Sequence, residues 1–148
     1  MVRPDFLTSR FSDPDTLLDI TRLSYFLLCA GLITTVPALM SGIGQLVGMV
    51  KKNGGPWEKD AAGKQKNTIV PRIQAAMTHA FLNDIVFVAN LYSWYIRKDT
   101  ASQGYVPSGV NLAISAVLLP IFLLGAKIGG SLVFNHGIGL NLGRKKVE

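Results

Sequence analysis

Leu23–Val50, LSYFLLCAGLITTVPALMSGIGQLVGMV, runs for 28 residues without an Asp, Glu, Lys or Arg. An α-helix rises about 1.5 Å per residue. Some 20 mostly apolar residues therefore cross the ~30 Å hydrocarbon core of a bilayer, and this stretch is long enough. Two more stretches share its character. Between Ile73 and Ile96 the only charge is Asp84, and between Thr100 and Gly143 the only charge is Lys127. Three apolar runs separated by charged loops predict an all-α integral membrane helical bundle with three transmembrane helices. The composition agrees. Hydrophobic residues make up 49% of the 148 and charged residues 16%, against roughly 25% charged in soluble domains. The mean hydropathy is +0.32.

The loops divide the chain into a polar N-terminal segment (1–16), a membrane domain (17–143) and a basic tail (144–148). The expected helices cover residues 17–50, 71–96 and 108–134. Asp15 or Thr16 is placed to cap the first. Pro71 suits the first turn of the second, where a missing N–H loses nothing. Pro37 and Pro120 are expected to kink the first and third helices. Residues 51–69 form a polar loop with a Gly-Gly-Pro turn signal, and Trp57 is expected at the interface. Tyr92, Trp94 and Tyr95, followed by Arg97 and Lys98, are how a helix leaves the hydrocarbon.

The net charge of +6 does not point to nucleic acid. The cations flank the apolar runs instead of forming a stripe interleaved with aromatics. One side of the membrane receives Lys51, Lys52, Lys59, Lys64, Lys66, Arg72, Arg144, Lys145 and Lys146. The other receives Arg3, Arg10, Arg22, Arg97 and Lys98. By the positive-inside rule the first set faces the cytosol or its organellar equivalent, with the N-terminus opposite. The organelle is not encoded in a readable way. The N-terminus, with Asp5, Asp13 and Asp15 and no early apolar core, looks like neither a signal peptide nor a transit peptide. The single cysteine, Cys29, excludes an intramolecular disulfide.

Few residues can carry chemistry. His79 and His136 belong near the same membrane face if the second and third helices are antiparallel, and two neutral imidazoles on facing helices are what haem b or part of a metal site requires. The bland alternative is hydrogen bonding at the interface, and the sequence favours it. Asp84 and Lys127 lie deepest in the spans, where a charge is expensive. Aligning His79 with His136 leaves them about four residues, roughly 6 Å, apart in depth. That suits a structural ion pair, or a proton-relay or solute-carrying pair. Asn83 and Asn90 add interhelical hydrogen-bonding capacity. Gly44 with Gly48, Gly125 with Gly129, and Ala126 with Gly130 are spaced for close helix packing. No phosphate loop, dinucleotide fingerprint or nucleophile elbow occurs, so the chain reads as non-enzymatic.

Three segments resemble the uncharacterised membrane family known as domain of unknown function 2231. They are Ile128–Leu140 (IGGSLVFNHGIGL), Gly31–Gly42 (GLITTVPALMSG) and Thr78–Asp84 (THAFLND). The resemblance covers about residues 17–143, and Asp19–Leu28 (DITRLSYFLL) is similar to the fungal branch. It implies a four-span bundle whose first span opens with Leu-His-Pro, a segment this chain lacks. Family members fused to Rieske iron–sulfur domains imply redox work, and Lys127 stands where an uncharged residue is expected. The leading expectation is a structural or interaction subunit, either a homo-oligomer or part of a larger membrane complex. A haem- or metal-binding redox protein using His79 and His136 comes second, and a proton or small-solute carrier using Asp84 and Lys127 third.

Overall fold

A computed structural model of the chain describes residues 14–138. The basic tail, Gly139 and most of the polar N-terminal segment, with Arg3 and Arg10, lie outside them. Three long helices dominate: α1 (Pro14–Asn53), α2 (Pro71–Lys98) and α3 (Gly109–Phe134). Between α1 and α2 lies a hairpin of β1 (Trp57–Lys59) and β2 (Gln65–Ile69). A single 3-10 turn, Ala101–Gln103, links α2 to α3. The all-α bundle expected from the apolar runs is what forms, and α1 and α3 are each long and apolar enough to cross a membrane by length and composition.

The helix ends follow local chemistry. Helix α1 begins three residues earlier than expected and continues to Asn53, with Lys51 and Lys52 in its last turn, where cations complement the helix dipole. Pro71 occupies the start of α2 as expected. A reciprocal capping box starts α3. The Asn111 N–H donates to Ser108 Oγ (3.4 Å), and the Ser108 N–H donates to Asn111 Oδ1 (2.9 Å), so two otherwise orphaned donors are satisfied. Both α1 and α3 run unbroken through their internal prolines. Ahead of Pro37, Thr34 and Thr35 donate their hydroxyls to the Ala30 and Gly31 carbonyls.

The loop 51–69 contains a β-hairpin, which alternation does not announce because neither strand alternates apolar and polar residues. An Asx turn makes it. Asp60 Oδ1 accepts from the Ala62 and Lys64 N–H groups (2.9 and 2.8 Å). Gly63 takes φ +78°, beyond ordinary reach of a side-chain-bearing residue. Thr68 then donates across the strands to Glu58 Oε2 at 2.9 Å, and Trp57 sits in β1, partly exposed.

Helix α2 packs along both α1 and α3, whereas α1 and α3 barely meet. The bundle is therefore an open layer with α2 in its middle. Few apolar side chains are buried among the described residues: Ile73 and Ala76 on α2, Leu118 and Leu132 on α3, and Tyr25 on α1, of which Ile73 alone is fully buried. Large apolar side chains stand exposed along all three helices, among them Phe26, Ile33, Met40, Phe81, Val117 and Leu124. That is the pattern of a protein solvated by lipid, where apolar side chains gain nothing by hiding from one another.

Candidate functional site

The open side of the layer holds a cleft of about 790 Å³ between α1 and α3, floored by α2. Its α1 wall includes Gly31, Thr35, Gly42 and Gln45, and its α3 wall Ser115, Phe122 and Gly129. Its floor carries His79, Asn83, Asp84 and Asn90. Polar groups gathered on the floor of an apolar cleft are the default place to look for function.

His79 is fixed at the edge of this floor. Its Nδ1–H donates to the Gly125 carbonyl of α3 at 2.9 Å. With Nδ1 protonated, Nε2 is an acceptor, and Asn83 Nδ2 donates to it at 3.0 Å while also donating to the His79 carbonyl at 2.8 Å. Both ring nitrogens are thus engaged, and the tautomer is set by the α3 carbonyl. The ring fits because Gly129 lacks a side chain: a Cβ there would lie 2.7 Å from His79 Cε1. Gly125 is also buried against α2, with Asn83 Oδ1 and Leu82 Cβ each 3.9 Å from where its Cβ would be. A second polar clamp closes the other end of the same seam. Buried Asn111 donates to Ser93 Oγ (2.8 Å) and to the Ser93 carbonyl (3.0 Å).

The expected pairings fare differently. Asn83 joins His79, but His136 does not. His136 lies beyond the end of α3, is exposed and stays outside the cleft. The α2–α3 register sets His79 opposite Gly125 and Gly129, not opposite His136. Gly129 is seven residues short of His136, which amounts to about 10 Å along a helix axis. Among the described residues no group of three or more His, Cys, Asp or Glu converges as a metal site. Asp84 lines the cleft, whereas Lys127 is exposed outside it, and the two form no ion pair. The one ion pair among the described residues is Arg22–Asp19. Of the small residues, Gly125 and Gly129 serve the α2–α3 seam, while a Cβ added at Gly44, Gly48 or Gly130 would meet nothing within 4 Å.

The arrangement that sequence reasoning misses is at the opposite end of α2. Arg97 reads as a cation marking exit from the membrane, yet it is only 6% exposed. Its Nη2 donates to the Thr21 carbonyl (3.1 Å), Ser24 Oγ (2.8 Å) and the Tyr105 carbonyl (2.8 Å), and its Nε donates to the Tyr105 carbonyl (3.2 Å). The guanidinium carbon lies 5.6 Å from the centre of the Tyr25 ring. That ring stacks on Tyr105 at 4.0 Å. Thr21 Oγ1 adds a bond to the Gly104 carbonyl at 3.0 Å. Gly104 is at φ +74°, and a Cβ there would collide with Leu18. Every acceptor is neutral, so this is a latch of α1, α2 and the 99–108 turn, with no partner carboxylate among the described residues. The only sequence signal for it is the run Tyr92-Ser-Trp-Tyr-Ile-Arg97, which also describes an ordinary interfacial anchor.

The model of the family described as predicted membrane protein (DUF2231) matches residues 18–141. That is most of the chain, which belongs to this family. No curated protein and no solved structure matches it.

Proposed function

We propose that this member of the DUF2231 family of predicted membrane proteins works as an assembly subunit: a three-span bundle whose activity is to associate, through its open cleft, with other membrane helices. The observation that carries this reading is the cleft itself. Helices α1 and α3 are both built to sit in lipid, yet they stand apart over a floor of α2 that bears Asn83, Asp84 and Asn90. Asp84 has no ionic partner among the described residues. Asn83 and Asn90 already donate within α2, to His79 and to the Val86 carbonyl, so the expense of a polar group in hydrocarbon falls on Asp84, and a further helix in the cleft would supply its partner. In this reading α2 is the middle span, crossing between α1 and α3. His79 and Asn83 already satisfy each other and serve the bundle's architecture, which favours assembly over haem ligation.

The test is the mass of the native particle. The full chain, extracted from its own membrane into nanodiscs, is expected to run well above its 16.0 kDa by native mass spectrometry. A lone chain would overturn the assembly reading, and a Soret band abolished by His79→Ala would replace it with the haem reading.

We propose a sidedness as well, on the distribution of the cations. The hairpin brings Lys59, Lys64 and Lys66 to the end of the bundle where α1 finishes with Lys51 and Lys52 and α2 starts with Arg72. We place that end on the cytosolic side. Single cysteines at Gln65 and Ser102, in a Cys29→Ser background, are expected to label from opposite sides of the membrane. Labelling of both from one side would rule out α2 as a span.

A further inference from the structure

The cleft contains a carboxylate without a cation, and the back of α3 carries a cation without a carboxylate, among the described residues. Asp84 is exposed on the cleft floor. Lys127 is exposed on α3. Nine residues separate it from buried Leu118, and at about 100° per residue that places the two on opposite sides of the helix. Lys127 therefore points away from α2 and cannot turn back to Asp84 within one chain. Exposed Leu123 and Leu124 flank it, forming an apolar ridge with one charge.

The depths of the two groups match. His79 packs at Gly129, and Leu82 and Asn83 pack at Gly125, so residues of α2 and α3 whose numbers sum to about 208 are level. Asp84 is then level with Leu124, three residues from Lys127, or about 4.5 Å in depth. A lysine stem spans that distance. Copies inserted in one membrane share one orientation, and rotation about the membrane normal preserves depth. Lys127 of one copy consequently lies about 4.5 Å in depth from Asp84 of another, within reach of its stem.

We propose that the occupant of the cleft is the back of α3 from a second copy of this chain, with Lys127 of that copy paired to Asp84. The inference rests on the assembly reading above and names its partner. The contact joins two different surfaces, the cleft of one subunit and the α3 ridge of the next. It is thus head-to-tail, and rotation about the membrane normal closes it into a ring. In a closed ring each Asp84 has one Lys127 and no mid-membrane charge is left over.

Charge reversal on the full chain in nanodiscs tests this, with particle mass as the readout. Asp84→Lys alone and Lys127→Asp alone each set like charges together and are expected to weaken self-association by about tenfold or more. The double variant D84K/K127D restores opposite charges and is expected to recover the wild-type mass. Because a charge reversal can also impair insertion, a second measurement uses milder changes. Chains bearing Asp84→Cys and Lys127→Cys, both with Cys29→Ser, are co-expressed and treated with a short bis-maleimide. A covalent dimer is expected from the mixture and from neither chain alone. An assembly that keeps its mass in both single reversals and gives no mixed cross-link overturns the Lys127–Asp84 interface while leaving the assembly reading intact. A wild-type particle of one chain overturns both.

Discussion

The two sides of α2 solve the same problem to different degrees. Toward α3, the polar groups along the seam have partners: His79 with Gly125 and Asn83, and Asn111 with Ser93. Two glycines let the backbones close around them. Toward the cleft, residues of the same kinds are present. Gly31, Gly42, Gln45 and Asp84 line it, but the walls stand apart and the carboxylate has no cation among the described residues. Small residues and amides are thus not sufficient to bring helices together. Closure occurs where a side chain on one helix meets a backbone group and a vacancy on the other at the same depth. Gly129 supplies the vacancy, Gly125 the carbonyl, and His79 the group that uses both.

The largest effect should come from filling that vacancy. Gly129→Leu drives a side chain into the His79 ring and is expected to destabilise the bundle by about 3 kcal/mol, read as a drop in thermal midpoint in detergent. Gly130→Leu, one residue along and facing open space, is expected to change it by less than about 0.5 kcal/mol. Equal losses in the two variants would erase the distinction between seam and open face. A smaller effect is expected from Asn111→Ala, which removes both bonds to Ser93 and one half of the α3 capping box. Interhelical hydrogen bonds in membranes contribute about 0.6–1.7 kcal/mol and caps about 1 kcal/mol, so a loss of about 2 kcal/mol is the expected outcome. A neutral substitution would show that the His79 end alone holds the seam.

Much of this architecture is legible in the residues alone. The charge-poor runs mark the helices, Pro71 and Ser108 stand at two of their starts, and the Gly125–Gly129 spacing points to a packed face of α3. What is not legible depends on rotation and register. Pairing His79 with His136 requires that two residues near one membrane face share a level, but the level is set by where a ring finds a glycine. The register is consequently displaced by about seven residues. The hairpin is hidden because Gln65–Ile69 is polar on both faces, and its formation depends on the Asp60 turn. Arg97 escapes sequence reading for a different reason. An interfacial cation and a buried one look identical in sequence, and only the neutral acceptors at Thr21, Ser24 and Tyr105 separate them.

The Arg97 latch has a bearing on how the chain is made. All its members, from Leu18 to Tyr105, precede the first residue of α3. A chain emerging from the ribosome can complete this knot as soon as its second helix and the following turn are out, with no contribution from the last helix. The α1–α2 contact is thus independent of α3, which adds its own contacts at His79 and Ser93. Synthesis in chain order therefore lets the two-helix latch close before the last helix is needed.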